Sequence, residues 1–491
     1  MQRTGGAPRA RGPLTPLLVG AAVSGAVALV VGLAASCGPG GGGEPDARTS
    51  SSKPAASPAQ TAAPILPPGY SPTEPVLDDS FADPAAIKVG DTYFAYGTNG
   101  GDAMMPVATA PAPAGPWTRS PGDGLAALPA WAESGWTWAP EVVAPRRQGD
   151  PYLLYFTARR RDADVQCIGI ATATSPAGPF LPRDGEPLIC PENLGGAIDA
   201  ASFVEDDGTR FLLYKSDARA TAAIYLVQLT SDGLELAAPP SRILGRGGDE
   251  PVLVEAPDLV KRGGKYVLFY SAGWYFKSNY QTRYAVASSI WGPYEKGAAP
   301  IQSTDLYGEK VEGPGSADVL SDGTGDYLLF HGITEYHGGS KVTRPMYVAP
   351  LGWDGTRPVV RGVSVRYEVE AGALNGCVSA LPRPNASGGK AAGPFARGDC
   401  RVDVRVFAPV AGEYDVRLQY ANRSGADSDL RLLVNGTAAA SVKLGATDGA
   451  DWASVTAKVR LGGGWNALGL RRLAGAGRPE GKGQLDYVDV R

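Results

Sequence analysis

VEAPDLVKRGGKYVLFYSAG, residues 254 to 273, places Glu255 at the mouth of an apolar run that turns at Gly263-Gly264 and returns rich in aromatics. Alone it reads as two short strands joined by a turn. The unit is not alone. DPAAIKVGDTYFAYGT from Asp83, APEVVAPRRQGDPYLLYFTA from Ala139, DAASFVEDDGTRFLLYKSD from Asp199 and GSADVLSDGTGDYLLFHGI from Gly315 repeat the pattern of APDLVKRGGKYVLFYSAG from Ala256. The five openings stand 56, 60, 57 and 59 residues apart.

A second element follows in register, as VATAPAPAGPWT (107 to 118), IATATSPAGPF (170 to 180) and AVASSIWGPYE (285 to 295), with YLVQLTSDGLEL and YVAPLGWDG as diverged versions. Each unit therefore supplies several short strands that cannot bury both faces unaided. Radial stacking of five four-stranded sheets around a channel covers them and leaves only short edges. Residues 75–362 are expected to form a five-bladed β-propeller. A sandwich or β-helix fits a period of this length poorly.

Composition agrees with an all-β chain: 66 Gly and 42 Pro among 491 residues call for many turns and few long helices. Charge is close to balance, with 46 Lys+Arg against 50 Asp+Glu, so no basic surface is available for a run of phosphates and no nucleic-acid partner is expected. Two His and five Cys leave little material for a zinc cluster, and a bound metal would sooner be calcium on oxygen ligands.

At the N-terminus, Arg3, Arg9 and Arg11 precede an uncharged stretch from Gly12 to Ser36 that ends at Cys37, the layout of an export signal over residues 1–36. LAASC resembles a bacterial lipobox, which implies lipidation of Cys37; an uncleaved membrane anchor is the other reading. Either one places the chain outside the cytoplasmic membrane, as an extracellular, cell-surface lipoprotein in the first case. Residues 37–74 are rich in Gly, Ser, Ala and Pro and read as a flexible tether. The remaining cysteines fall as Cys167 with Cys190 and Cys377 with Cys400, each pair 23 residues apart. Two local disulfides are expected in an oxidising compartment, against four free thiols.

The first strand of a propeller blade lines the channel, so acids at strand openings gather around one axis. Asp83, Glu141, Asp199, Glu255 and Glu312 are placed there by this reasoning. A ring of like charge costs stability and raises some of its own pKa values, which marks it as a functional candidate beside turn capping or calcium binding. Glycoside hydrolysis needs such a set: one carboxylate to activate water and one carboxylic acid to protonate the leaving oxygen. Asp258, three positions after Glu255, is expected on the opposite face by alternation and is given no catalytic role.

The combination of Asp83-Pro84 after FA, WAPEV at 138 to 142, IDAASFVEDDGTRFLLY at 198 to 214, VEAPDLVKRGGKYVLFYSAG, and GPGSADVLSDGTGDYLLFH at 313 to 331 resembles glycoside hydrolase family 43. The resemblance spans all five blades. It implies a glycosidase acting on arabinose- or xylose-containing plant polysaccharides with inversion, no cofactor for the chemistry, and galactans as substrates of some members. It implies Asp83 as general base, Asp199 as pKa-modulating and orienting acid, and Glu255 as general acid, with Glu312 the rival for that last role. It also matches His331 to a channel histidine associated with calcium or water, and Arg344 to a pocket arginine; a core histidine and a surface ion pair are the alternatives. Ser316 departs from the family's GPGH pattern, which puts a channel metal in doubt. Trp138 is a candidate for stacking on a sugar ring, or for packing. A non-catalytic glycan-binding propeller stands as the competing function. A sucrose or fructan hydrolase is disfavoured, because the chain lacks Arg-Asp-Pro and Glu-Cys pairs at the blade openings.

From Val363 the pattern changes to alternating strands such as YDVRLQY and LRLLVNG, the period of half-buried antiparallel strands, so residues 363–491 are expected to form a β-sandwich. Their order resembles carbohydrate-binding modules of families 6 and 35. That likeness implies a jelly roll with a structural calcium on Glu368, Glu370 and Asp489. Trp452, Asn466 and Tyr420 are the sugar-site candidates.

Overall fold

The computed structural model describes residue 66 and residues 70–218, 221–448, 452–473 and 483–491. Export signal, Cys37 and nearly all of the tether lie outside the described residues.

Five four-stranded antiparallel sheets follow one another along the chain. The first contains β1 (Ala85–Val89), β2 (Thr92–Tyr96), β3 (Val107–Ala110) and β4 (Thr118–Arg119). The second contains β5 (Trp138–Val143), β6 (Tyr152–Arg159), β7 (Gln166–Ala173) and β8 (Leu181–Pro182). The third is built from β9 (Ala197–Val204), β10 (Arg210–Ser216), β11 (Ala223–Gln228) and β12 (Ser241–Gly245). The fourth is built from β13 (Val254–Arg262), β14 (Lys265–Ala272), β15 (Gln281–Ala287) and β16 (Glu295–Lys296). In the fifth, β17 (Glu312–Ser321) and β18 (Asp326–Ile333) are followed by a small hairpin, β19 (Glu335–Tyr336) with β20 (Val342–Thr343), before β21 (Met346–Asp354) and β22 (Arg357–Val360) complete the sheet.

Blade stacking is what makes these sheets stable, since each is too small to exclude water alone. A separate apolar cluster fills every interface. Leu154 and Phe156 pack with Tyr96 and Val107, Leu212 and Tyr214 with Tyr155 and Ile170, and Leu268 and Tyr270 with Leu213 and Ile224. Phe330 and Tyr347 pack with Phe269. The last cluster closes the ring, joining Leu329 and Val348 of blade 5 to Phe81 and Tyr93 of blade 1. The segment before β1 lies along β21, where Val76 N donates to Met346 O at 2.9 Å and Phe81 N to Arg344 O at 2.8 Å.

One backbone feature repeats five times. Asp83, Ala139, Asp199, Ala256 and Ser316, at or just before the opening of each inner strand, all hold positive φ, between 40° and 56°. Non-glycine residues rarely adopt this conformation, and five at matching places mark a constraint of the architecture. Around them the pairing of inner and second strands shifts register, for instance between Glu255 and Asp258 and between Trp138 and Glu141. These bulges break the two-residue alternation on which Asp258 was assigned to the outer face. Asp258 in fact lines the channel.

The C-terminal part is a sandwich of two antiparallel sheets. One sheet is built from β23 (Val365–Glu368), β25 (Ser379–Pro382), β26 (Lys390–Phe395), β28 (Gly412–Ala421), β31 (Ala453–Leu461) and β33 (Gly483–Val490). The other contains β24 (Ala373–Asn375), β27 (Arg401–Ala408), β29 (Ser428–Val434), β30 (Thr437–Leu444) and β32 (Gly464–Arg472). Val404, Val406, Leu430, Leu432, Leu418 and Val488 meet in its core. The structure joins Cys167 to Cys190 and Cys377 to Cys400.

Candidate active site

The left-handed residues set the geometry of the channel mouth. Directly before them stand Ala82, Trp138, Ile198, Glu255 and Gly315, and opposite these on the second strands stand Thr98, Thr157, Lys215, Ser271 and His331. In four blades that second-strand side chain accepts the N–H of the next blade's left-handed residue. Thr98 Oγ1 takes Ala139 N at 3.0 Å, Thr157 Oγ1 takes Asp199 N at 3.3 Å, Ser271 Oγ takes Ser316 N at 2.8 Å and His331 Nδ1 takes Asp83 N at 3.2 Å. In blade 3 the acceptor is Asp199 itself, whose Oδ2 takes Ala256 N at 2.9 Å.

Asp83, Asp199 and Glu255 converge on a cavity of about 300 Å³ that Trp138 and Arg344 also line. The three carboxyls are held differently. Burial pushes Asp83 up, but the Arg344 guanidinium, 3.0 Å from Oδ1, together with His331 and the Thr98 hydroxyl, more than offsets this and holds it well below the usual carboxylate range. Asp83 is therefore an ionised carboxylate. Asp199 is pushed up to about 8 by burial and by the neighbouring Glu255 charge, with Lys215 opposing. Asp199 therefore holds its proton at neutral pH, beside the Glu255 carboxyl. Glu255 accepts the Tyr280 hydroxyl at 2.9 Å and Lys215 Nζ at 3.1 Å.

His331 is fully buried behind the cavity, stacked on Tyr280 with ring centroids 5.6 Å apart. Burial and the Arg344 charge lower its pKa, so it stands as a neutral ring that accepts the Asp83 N–H. Trp138 faces the cavity with Trp136 beside it, at 5.5 Å between centroids. Among the cavity residues not identified from sequence are Lys215 and, on the segment after β14, Trp274, Tyr275 and Tyr280. Their signals were a lysine closing the apolar run FLLY and the aromatic cluster GWYF just beyond the repeat.

The expected ring of five acids divides into two levels. Glu312 is not among the residues lining the cavity; it accepts the exposed Tyr336 hydroxyl at 2.6 Å, which removes it as rival to Glu255. Glu141 lies deeper, where it lines a narrow cavity of about 40 Å³ with Asp258 and Asp318. Each of these three accepts a backbone N–H from the next blade: Ser202 at 3.0 Å, Val319 at 2.9 Å and Ala86 at 3.0 Å respectively. Burial raises all three, Glu141 to about 7 and Asp258 to about 6, and mutual repulsion adds to the rise at Glu141 and Asp318.

In the sandwich, the sequence candidates separate. Asn466 is buried and satisfied, its Oδ1 accepting Gly462 N and Asn435 Nδ2, its Nδ2 donating to Gly462 O and Gly464 O. Tyr420 belongs to the core, its hydroxyl accepting Gly445 N at 3.1 Å. Both serve the fold: Asn466 has no polar atom left over for a sugar, and Tyr420 is buried in the core. Trp452 is half-buried. Asp489 pairs with Arg366 at 3.0 Å and does not join the other two acids. The acid beside Glu368 and Glu370 is Asp486, whose N-terminal offset of three residues on β33 places it at Ser387. Glu368 Oε2, Glu370 Oε2 and Asp486 Oδ1 are all buried without a hydrogen-bond partner. Burial, with the charges of Glu368 and Glu370 beside it, pushes Asp486 up to about 6. Three orphaned carboxylate oxygens offer hard donors to a cation, although they are not gathered within 4.8 Å of one another.

A propeller whose channel mouth gathers an ionised carboxylate and two further neighbouring acids has the equipment of a glycosidase. Residues 72–357 match glycosyl hydrolases family 43, and the chain belongs to that family. Among known proteins it is similar to the β-D-galactofuranosidase xynD of Aspergillus niger, 29% identical over 272 residues that cover 52% of this chain and 75% of that protein. It is also similar to an arabinoxylan arabinofuranohydrolase of Bacillus subtilis, 30% identical over 28% of each protein, so the match spans little more than a quarter of that relative. The crystal structure of a thermostable family-43 glycoside hydrolase superposes with a TM-score of 0.50 at 27% identity, over 57% of this chain and 93% of that one.

Proposed function

We propose that this glycoside hydrolase cleaves arabinose- or xylose-containing glycans by single displacement with inversion. The observation that carries the reading is the electrostatic division within one cavity. Asp83 is kept ionised by Arg344, while Asp199, beside Glu255, is pushed up to about 8 and keeps its proton. In this reaction Asp83 accepts a proton from water as that water attacks the anomeric carbon, and Glu255 gives its proton to the departing glycosidic oxygen. Asp199 orients the two. The cavity is at the small end for a ligand pocket, which suits one sugar ring rather than a long polymer stretch. The names of the two curated relatives both refer to furanosides. α-L-Arabinofuranose and β-D-galactofuranose share their ring configuration from C1 to C4, which favours a terminal furanoside, with galactofuranose as the second candidate.

The test is hydrolysis of para-nitrophenyl α-L-arabinofuranoside, β-D-xylopyranoside and β-D-galactofuranoside by the wild type and Asp83→Ala, with proton NMR of the first product anomer. Release of the inverted sugar by the wild type alone supports the reading. A retained anomer overturns the mechanism, and failure on every aryl glycoside and on arabinan, arabinoxylan and galactan points to a glycan-binding propeller instead.

The sandwich fits a carbohydrate-binding role, with calcium on Glu368, Glu370 and Asp486 supplying the positive charge those buried oxygens lack. The N-terminal layout supports export and anchoring through Cys37, which mass spectrometry of the membrane-bound protein would reveal as a lipid-modified terminus.

A further inference from the structure

Lys215 interrupts the five-fold pattern of the channel. At its place the other blades carry Thr98, Thr157, Ser271 and His331, all of which accept an N–H from the following blade. A lysine ammonium has no lone pair to offer. Asp199 has taken over that bond, and the lysine is released to reach across to Glu255, the acid that opens the next blade. Lys215 is the last but one residue of β10, in which every residue is buried, and it is itself only 3% exposed. Burying an ammonium is costly unless it is paired, so its position is explained by its partners. These are Glu255 Oε2 at 3.1 Å and Asp217 Oδ1 at 3.0 Å.

We propose that Lys215 is a positioning residue that fixes the orientation of the Glu255 carboxyl and stabilises the carboxylate left when its proton passes to the leaving oxygen. The inference rests on Glu255 being the acid. As the Glu255 O–H bond breaks, the proton and the leaving oxygen form the new hydroxyl, and negative charge grows on Glu255 beside a fixed ammonium in a water-poor cavity. Tyr280 on the segment after β14 holds the other Glu255 oxygen, so the carboxyl is clamped from two blades. Asp217 and Asp199 from β9 share the ammonium with Glu255, and Asp83 adds like charge at Asp199.

The test compares wild type with Lys215→Met, Lys215→Arg and Lys215→Thr, the last restoring the side chain found in blades 1 and 2. Carbon NMR of protein labelled at glutamate carboxyls, with the Glu255 resonance assigned by Glu255→Gln, follows the titration directly. The midpoint of Glu255 is expected to rise by about 1–3 pH units in the Met and Thr variants. In Lys215→Arg it stays within about half a unit of wild type. The basic limb of kcat/KM on the best aryl glycoside should move with it. An unmoved midpoint in a folded Met or Thr variant overturns the proposal, even if activity falls. A wild type that hydrolyses nothing sinks the glycosidase reading, while the titration still decides the coupling of Lys215 to Glu255.

Discussion

At the residue scale, Asp83 and Glu255 differ in what surrounds them more than in chemistry. Asp83 faces a guanidinium and a neutral imidazole; Glu255 faces an ammonium, a phenol and a second acid. Glu255→Gln is expected to lose about 10²–10⁴-fold in kcat on polysaccharide and less on para-nitrophenyl glycosides, whose leaving group needs no proton. Equal losses on both would remove Glu255 from the acid role. The pH profile follows from Asp199: kcat/KM is expected to fall as pH rises through about 8, where Asp199 loses its proton and places a second charge beside the others in the cavity. Asp199→Asn should displace that limb. The three carboxylates were legible because each stands at a strand opening in the repeat. That Asp489 stands apart from Glu368 and Glu370 is not legible, because the sequence does not reveal that Arg366, across from it on β23, claims its charge.

At the element scale, the inner strands do two jobs within a few residues. Their openings present the proposed reacting acids, and two positions further on Glu141, Asp258 and Asp318 tie neighbouring blades together through backbone amides. An acid with a raised folded pKa binds more protons folded than unfolded between its ordinary value and the raised one, so stability falls as pH climbs through that window. For Glu141 and Asp258 the window runs from about 4 to 7. Asp258→Asn keeps an oxygen for Val319 N and is expected to raise the thermal midpoint at pH 8 relative to wild type, with little difference at pH 4. Scanning calorimetry at both values checks this, and an equal change at both would discount the titration. The segment after β14 depends on Gly273 in the same way that the strands depend on their bulges. Its φ is +106°, and a Cβ there would stand 2.4 Å from Asn279 O. Gly273→Ala should therefore displace Tyr280 and cut kcat/KM while leaving the far-UV spectrum unchanged. Strict alternation along VEAPDLV misplaced Asp258, since a bulge is set by blade packing and leaves no mark in hydrophobic pattern.

At the scale of the whole molecule, the repeat period carried the architecture, and five interblade clusters account for why units of that length must stack in a ring. The sandwich was equally legible from alternation, whereas its candidate ligand residues were not. Asn466 and Tyr420 look free in sequence and prove committed to a turn and the core. Chelation by EDTA is expected to lower the thermal midpoint of the wild type and to leave that of Glu370→Gln/Asp486→Asn unmoved. Equal response of the two proteins would remove calcium from this site.

The ring has one joint, where blade 5 meets blade 1, and the proposed general base is assembled across it. Asp83 arrives from one side; Arg344 and His331 arrive from the other, with Val76 and Phe81 as the fastening. A small parting of that joint would separate the base from the groups that keep it ionised while four of the five interblade contacts stayed intact. Catalysis then becomes a gauge of closure: heating should abolish hydrolysis some degrees before the calorimetric transition, and a disulfide engineered between the segment before β1 and β21 should bring the two temperatures together.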